Sequence, residues 1–199
     1  MLVANATLLL VRHGETEWNA THRWQGFTGP PLNEIGLLQA QELGRNLAST
    51  RLDAIYSSDS TRAVQTAEIV AKPRQLSVRQ DARLREVNFG EWEGLTRAEI
   101  NERYAGAFRE WDACMLAAPT GGETDLQMAN RVIEALRDID ANHADECVLV
   151  VTSGGPMRAV QAHADGIDQR LARLHLETAA NCAVYKLQIH GTAFSVDLA

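Results

Sequence analysis

The sequence predicts an α/β fold in which a mostly parallel central sheet lies between two layers of helices, as a three-layer α/β/α sandwich. Short apolar runs, typical of buried strands, alternate along the chain with segments whose apolar residues recur every three or four positions. Three of the apolar runs end in polar or glycine-rich stretches. Because ligands bind outside the carboxyl ends of parallel strands, these strand ends predict one shared pocket.

Length, composition and charge narrow the class of protein. The chain has 199 residues, of which 45% are hydrophobic and 23% charged, and we expect one domain over residues 1–199. The formal charge is -7 and no block of lysine and arginine stands out, which argues against a nucleic-acid partner. Without a signal-peptide pattern or an apolar stretch of membrane-spanning length, we expect a cytoplasmic protein with no membrane partner.

The three cysteines, Cys114, Cys147 and Cys182, are odd in number and widely spaced. Their number and spacing argue against a disulfide framework and against a zinc site. Cys147 and Cys182 lie in apolar runs, so we expect buried, unreactive thiols there.

The first predicted strand, Leu8–Val11, leads directly into Arg12, His13 and Gly14. The segment over residues 15–31 is rich in glycine, threonine, tryptophan and proline, and such a composition predicts a long loop. Long ordered loops are usually functional, so we expect this one to border the site.

A helix capped by Asn33 and extending to about Ser49 follows, and then a short strand over Leu52–Tyr56. Asp59 or Ser60 could cap the next helix, which Pro73 would end. Its first turn contains Arg62, placed after its strand as Arg12 is placed after the first.

The second half of the chain begins with a loop over Leu84–Gly94, dense in acidic, aromatic and glycine residues. Two capping-box patterns, Thr96 with Glu99 and Thr124 with Gln127, predict helices through Tyr104 and about Asn142. A central strand buried on both faces is predicted over Cys147–Val151, and a helix that begins near Pro156 follows over residues 156–164. The C-terminus is predicted to form a hairpin of two strands, Ala183–Ile189 and Ala193–Leu198.

Two arginines that converge on one pocket suit a tetrahedral phosphate, since the forked guanidinium donors match its oxygens. Arg12 and Arg62 are the candidates, and His13 beside them could attack phosphorus as a nucleophile. Glu86 could protonate the leaving oxygen and later deprotonate water, although Glu91 and Glu93 compete for this role. No metal or other cofactor is required, because arginines can stabilise the developing charge.

The motifs in order along the chain resemble those of the histidine phosphatase superfamily, also called the phosphoglycerate mutase-like family. The similarity covers nearly the whole sequence. It is carried by Arg12-His13-Gly14-Glu15-Thr16, Trp18-Asn19, Arg23, Gln25-Gly26, Pro31-Leu32, Gly36, Gln39-Ala40, Tyr56-Ser57-Ser58, Arg62-Ala63, Gln65-Thr66-Ala67, Leu84-Arg85-Glu86, Phe89-Gly90, Trp92-Glu93-Gly94 and Gly122-Glu123-Thr124.

The resemblance implies a phosphoglycerate mutase-like fold and hydrolysis of a phosphorylated small molecule through a phosphohistidine. In this scheme His13 is the nucleophile, Arg12 and Arg62 clamp the phosphate, and Glu86 donates the proton. It further implies substrate-binding roles for four residues: Asn19, Gln25, Gly26 and Gly154. The chain lacks a Tyr-Gly-Ala-Leu-x-Gly-Leu-Asn-Lys stretch expected in the mutase branch, so phosphatase chemistry is favoured over a mutase-type phosphotransfer.

The chain departs from the family at Ser153, which occupies the position of a second pocket histidine in a Ser/Thr-His-Gly-Gly pattern. The loss of one donor to the transition state typically costs about two to three orders of magnitude in rate. Three explanations stay open: a subgroup with shifted chemistry, a catalytically impaired protein that only binds phosphorylated ligands, and a substitution introduced in the laboratory. We expect reduced phosphatase activity, with the binding protein as the alternative.

Three further expectations concern the surroundings of the pocket. His22 could reach the pocket, although an exposed loop histidine is the simpler interpretation. The segment Arg103–Thr120, which contains Phe108, Arg109, Trp111, Asp112 and Met115, could form a lid over the substrate, or its aromatic side chains could pack between helices. The apolar C-terminal strand edge could support a homodimer.

Overall fold

The computed structural model of the chain describes residues 5–113 and 117–198, and its centre is one mixed sheet. The strands are β1 Thr7–Arg12, β2 Ala54–Ser57, β3 Val78–Gln80, β4 Cys147–Thr152, β5 Val184–His190 and β6 Ala193–Leu198. They lie in the order β3-β2-β4-β1-β5-β6. The pairs β3–β2, β2–β4 and β4–β1 are parallel, and β5 and β6 are antiparallel to their neighbours.

The helices alternate with the parallel strands, as the sequence predicts. They are α1 Glu17–Ala20, α2 Glu34–Asn46, α3 Thr61–Ala71, α4 Arg97–Arg103, α5 Ala105–Asp112, α6 Asp125–Ala141, α7 Gly154–Ala164 and α8 Ala172–His175. Single 3-10 turns lie at Lys72–Arg74, Ala82–Leu84 and Gly90–Trp92. Both predicted capping boxes are present, at Thr96 and Thr124, and the Asn33 side chain accepts a hydrogen bond from the Gly36 amide.

Helices cover both faces of the sheet, which confirms the three-layer sandwich. Along β4, Val148 and Val150 face a core that α6 and α7 complete, whereas Leu149 and Val151 face a second core that α2 and α3 complete. Successive side chains of a strand point to opposite faces, so a strand that is apolar throughout can be buried on both. This explains why Cys147–Val151 forms one of the central strands.

The three predicted strand ends lie side by side. β2, β4 and β1 are consecutive in the sheet and parallel, so the polar residues that follow them emerge at one edge. The prediction of a shared edge is therefore confirmed for the segments that carry His13, Arg62 and Gly154.

Several boundaries differ from the sequence predictions. The segment 15–31 is not entirely a loop, because a capping box formed by Thr16 and Asn19 supports the short helix α1. The second strand begins at Ala54 rather than Leu52, and α2 ends at Asn46 rather than near Ser49. The sequence did not predict β3, a three-residue edge strand with little apolar content.

The segment considered as a lid consists mostly of helices that pack on an aromatic core. Phe108 and Trp111 are buried, and their rings stack with centroids 6.1 Å apart. Trp92 and Ile100 complete this core. Helix packing therefore accounts for Phe108, while Met115 lies outside the described residues.

The C-terminal hairpin pairs β5 with β6, as predicted, and leaves β6 at the edge of the sheet with Leu198 exposed. The homodimer that this edge suggested stays a prediction. None of the helices in the two described ranges is long and apolar enough to cross a membrane.

Two glycines bring the loop after β1 against the start of α2. A Cβ atom on Gly36 would lie 2.0 Å from the Glu15 carbonyl oxygen, and one on Gly14 would lie 2.5 Å from the Gly36 carbonyl oxygen. Both contacts are with backbone atoms, which cannot move aside as a side chain can. The segment that begins with His13 is therefore fixed by a close backbone approach that only glycine permits.

We predict opposite effects for two glycine substitutions in α2. Gly36→Ala should lower the free energy of unfolding by about 1–3 kcal/mol, because its Cβ must displace backbone. Gly44→Ala is the matched control, since the nearest atoms to its Cβ lie 4.0 Å away, and it should raise the free energy of unfolding by up to about 1 kcal/mol. Urea unfolding of the two variants measures both effects; a stabilised Gly36→Ala protein would contradict the close approach.

Candidate active site

A cavity of about 900 Å³ opens at the carboxyl ends of β1 and β4. Six of the nine residues that the sequence assigns to catalysis or substrate binding line it: Arg12, His13, Asn19, Gln25, Glu86 and Gly154. Arg62, Gly26 and Ser153 are buried next to residues of this lining rather than in it. The structure thus brings together groups from positions 12 to 154 of the chain.

His13 is held in one neutral tautomer by two partners whose roles are fixed. Its Nδ1 lies 2.7 Å from the Gly14 carbonyl oxygen, which can only accept, so Nδ1 must carry the proton. Its Nε2 lies 3.2 Å from the Nε of Arg62, which can only donate, so Nε2 must present its lone pair. The ring is 3% exposed. The unprotonated nitrogen of His13 is therefore Nε2.

The surroundings also keep this imidazole uncharged. Burial is the main reason that the pKa of His13 lies well below its usual 6.5, and the charges of Arg62 and Arg12 lower it further. The hydrogen bond to the Gly14 carbonyl acts in the opposite direction but is the smaller effect. A neutral imidazole with a fixed lone pair is the form in which histidine acts as a nucleophile.

Arg62 is buried in the first turn of α3 and is held by a loop from the opposite side. Its Nη2 donates to the Gly26 carbonyl oxygen at 2.8 Å and its Nη1 to the Thr28 carbonyl oxygen at 3.1 Å. Gly26 therefore acts on the site through its backbone. Burial lowers the pKa of Arg62, but a guanidinium stays protonated in proteins.

The loop that binds Arg62 is itself anchored by Glu93. One carboxylate oxygen of Glu93 accepts from the Phe27 amide at 2.8 Å and the other from the Thr28 amide at 2.9 Å. A Cβ on Gly26 would lie 2.0 Å from the first of these oxygens. Glu93 is thus used in positioning the loop, which removes it as a competitor of Glu86.

Arg12 lies at the end of β1 with only part of its guanidinium in use. Its Nη1 donates to the Ala179 carbonyl oxygen at 2.6 Å. Its Nε is buried and has no hydrogen-bond partner in the described part of the chain. Burial lowers the pKa of Arg12, and the charge of Glu86 raises it. A buried donor without a partner at the wall of a cavity is a donor available to an anion.

Glu86 reaches the cavity between two backbone amides. One carboxylate oxygen accepts from the Val87 amide at 2.8 Å, and the other from the Gly155 amide in the first turn of α7 at 2.9 Å. A Cβ on Gly155 would lie 2.0 Å from this carboxylate. Glu91, the remaining candidate, is exposed, so the geometry favours Glu86.

Asn19 and Gln25 belong to a polar network around Thr16. Thr16 donates its amide to Asn19 Oδ1 at 3.1 Å and its hydroxyl to Gln25 Oε1 at 2.9 Å. The amide nitrogen of Asn181 donates to the His13 carbonyl oxygen at 2.8 Å. The network connects α1 and the end of β1 to the segment before β5.

Ser153 precedes α7 and is 1% exposed. Its hydroxyl caps no amide of the helix and has no hydrogen-bond partner among the described residues. Cys147 and Cys182, which were expected to be buried, are each only partly buried and form no disulfide among the described residues. Burial raises the pKa of both thiols, that of Cys182 to about 12, which is consistent with low reactivity.

Several residues of this cavity were not predicted from the sequence, above all Arg158, Thr178 and Asn181. Arg158 lies four residues after Gly154 on α7, and this spacing, which places both on one helix face, was the signal for it. Thr178 and Asn181 come from an irregular segment that has no periodicity to interpret. His22 also lines the cavity, from an exposed position at its rim.

Comparison with known proteins places the chain among phosphatases. The model of the histidine phosphatase superfamily (branch 1) matches residues 8–199. Phosphoserine phosphatase 1 of Hydrogenobacter thermophilus is 37% identical over 162 residues, which are 81% of this chain and 77% of that protein. Glucosyl-3-phosphoglycerate phosphatase of Mycobacterium tuberculosis is 34% identical over 163 residues, 78% of this chain and 73% of that protein.

Two solved structures extend the similarity to nearly the full chain. Bacillus stearothermophilus YhfR superposes with a TM-score of 0.90 at 38% identity, covering 97% of this chain and 96% of that one. A mycobacterial glucosyl-3-phosphoglycerate phosphatase in complex with VO3 superposes with a TM-score of 0.86 at 31% identity, covering 96% and 97%.

The lowered pKa of His13 predicts a specific loss of stability in acid. Below about pH 6.5 His13 is protonated in the unfolded chain but not in the folded one. The free energy of unfolding therefore falls by up to about 1.4 kcal/mol for each pH unit, until the pH reaches the lowered pKa of His13 in the folded state. Above pH 6.5 the effect vanishes. In His13→Gln this contribution should be absent.

Urea unfolding of both proteins at about pH 7.5 and about pH 5.5 tests this, because the contributions of groups that do not interact with His13 cancel in the difference. The wild type should lose about 1 kcal/mol more than His13→Gln between these conditions. An equal loss in the two proteins would show that His13 protonates normally in the folded state.

Proposed function

The chain belongs to the histidine phosphatase superfamily and is a phosphoric monoester hydrolase, and from this premise we propose that it works through a phosphohistidine at Nε2 of His13. The observation that carries the proposal is the fixed neutral tautomer, in which the Gly14 carbonyl holds Nδ1–H and leaves the lone pair on Nε2. The substrate is a phosphorylated small molecule, in line with the relatives named for phosphoserine and glucosyl-3-phosphoglycerate.

In the first step, His13 Nε2 attacks phosphorus and the bond between phosphorus and the ester oxygen breaks. Glu86 gives its proton to that oxygen, and an alcohol leaves. Arg12, through its free Nε, and Arg62 donate to the phosphoryl oxygens as negative charge develops on them. The contact between Arg62 Nε and His13 Nε2 places the guanidinium within reach of the phosphoryl group on that nitrogen.

In the second step, water attacks the phosphohistidine from the side that the alcohol has left. Glu86 now takes a proton from this water, as microscopic reversibility requires of the group that donated one before. The bond between phosphorus and Nε2 breaks, inorganic phosphate leaves, and His13 returns to its neutral tautomer. Asn19 and Gln25 line the same cavity and serve as substrate-binding residues, with Gly154 at the start of α7.

We further propose that Ser153 makes this hydrolysis slower than in a protein with histidine at the same position. Its buried hydroxyl is shorter than an imidazole, cannot carry a positive charge, and has no partner in the described part of the chain. The other residues to which we assign a role in the reaction, Arg12, His13, Arg62 and Glu86, are all present.

Trapping the covalent intermediate tests the nucleophile. Rapid quenching into alkali with a 32P-labelled phosphomonoester should label one histidine, because phosphohistidine survives base and is lost in acid, and peptide mapping should place it on His13. His13→Ala should lose the label and at least roughly three orders of magnitude in kcat. His190→Ala, which alters an exposed histidine of β5, is the control and should keep both; label on His22 would overturn the assignment.

Restoring an imidazole tests the role of position 153. Ser153→His should raise kcat by about two to three orders of magnitude, since it adds one donor to the transition state. Ser153→Ala is the matched control and should differ little from the wild type. Melting temperatures of both variants establish that they are folded, and a folded Ser153→His protein no faster than the wild type would contradict the proposed attenuation.

A further inference from the structure

The cavity contains a second arginine whose donors are not all used. Arg158, on α7, lines the cavity together with Arg12 and Glu86. Its Nε is buried and has no hydrogen-bond partner in residues 5–113 and 117–198. Its Nη2 donates to the hydroxyl of Thr178 at 2.5 Å, so the partner that it does have is neutral.

Thr178 places this arginine beside the proposed phosphate site. A Cβ on Gly154 would lie 2.5 Å from the Thr178 methyl carbon and 3.7 Å from Arg12 Nε. Thr178 therefore lies on one side of Gly154, close to the Arg12 guanidinium, and its hydroxyl touches Arg158. Thr178 thus contacts Arg158 through its hydroxyl, and its methyl group lies against the Gly154 backbone that borders Arg12 Nε.

A neighbouring arginine in the same cavity, Arg173, has no hydrogen bond at its own buried Nε either, but its charge is paired with a carboxylate, which that of Arg158 is not in the described part of the chain. Arg173 has its Nε 2.9 Å from a carboxylate oxygen of Asp125, donates through Nη2 to the Trp111 carbonyl oxygen, and lies over the Trp111 ring. Its charge is compensated within the protein. Arg158 forms no ion pair with Glu86 or Asp125 in the described part of the chain, although the charges of both carboxylates raise its pKa. Burial is the larger effect and lowers the pKa of Arg158.

We propose that Arg158 and Thr178 bind a carboxylate of the substrate, so that this phosphatase prefers phosphomonoesters with a carboxylate a few bonds from the phosphate. This inference rests on the proposed function, since it takes the phosphate to lie at Arg12, Arg62 and His13. A carboxylate fits because it accepts from the guanidinium and from a hydroxyl at the same time. The Thr178 oxygen already accepts from Arg158, so its own proton is free to be donated.

The number of free hydrogen-bond donors favours a carboxylate over a second phosphate. The free donors beside Arg12 are one guanidinium and one hydroxyl, which match the two oxygens of a carboxylate, whereas the proposed phosphate site has two arginines and the dipole of a helix N-terminus. A charge-assisted hydrogen bond to such a group is worth roughly a tenfold to a hundredfold change in affinity. Arg158 is therefore a specificity-determining residue.

The test compares two phosphomonoesters that differ only in this group, 3-phosphoglycerate and glycerol 3-phosphate, which has a hydroxymethyl group in place of the carboxylate. Equilibrium binding is measured by calorimetry in the His13→Ala background, where turnover is blocked. The carboxylate should improve Kd by roughly tenfold to a hundredfold. Adding Arg158→Met should reduce this ratio to near one, and Arg158→Lys should restore part of it. Arg170→Met, at an exposed arginine paired with Asp168, is the matched control and should leave the ratio unchanged.

The outcomes separate the inference from the proposed function. If Arg158→Met weakens both ligands by the same factor, Arg158 binds the phosphate and the inference is wrong. If the two ligands bind equally well before Arg158 is changed, there is no carboxylate site and the inference is also wrong. Because these are binding measurements, they hold whether or not label appears on His13 in the trapping experiment, which alone decides the phosphohistidine mechanism.

Discussion

Two partners with fixed hydrogen-bonding roles set the protonation of His13: the Gly14 carbonyl oxygen, which can only accept, and the Arg62 guanidinium, which can only donate. Protonating Nε2 would bring a proton against an N–H group inside a buried cluster of positive charge. The lone pair is therefore kept at neutral and mildly acidic pH. The chemistry proposed here depends on this arrangement, because a protonated imidazole has no electrons with which to attack phosphorus.

Most of the surrounding structure serves to hold these two partners in place. The carbonyl side depends on the close approach of Gly14 and Gly36, through which α2 supports the loop after β1. The guanidinium side depends on a longer chain of contacts, in which Glu93 binds two amides of the loop whose carbonyls bind Arg62. Residues distant in sequence thus act on one imidazole, and only a few of them touch the cavity.

How much of this could be predicted from the sequence depends on whether the signal was local. The strand β4 and the helix capped at Thr124 were predictable, because an unbroken apolar run and a capping box are patterns of residues close together in the sequence. The position of His13 followed from its strand, and the proposed roles of Arg62 and Glu86 rest on the resemblance to the family. Arg158 and Thr178 could not be predicted in this way. What marks them is a buried donor without a hydrogen-bond partner among the described residues and a contact between side chains 20 residues apart, and neither is visible in a local sequence pattern. The edge strand β3 was missed because it is short, mostly polar and stabilised by its neighbour rather than by its own pattern.

Solution NMR of the protein labelled with 15N in its histidines tests the protonation of His13 most directly. His13→Gln assigns the signal. We expect a neutral ring at pH 7 with the proton on Nδ1 and an unprotonated Nε2, and the same spectrum when the pH falls below the usual histidine pKa of 6.5. A proton on Nε2, or an imidazolium at pH 7, would contradict this expectation, because either would leave no lone pair on the nitrogen proposed to attack phosphorus.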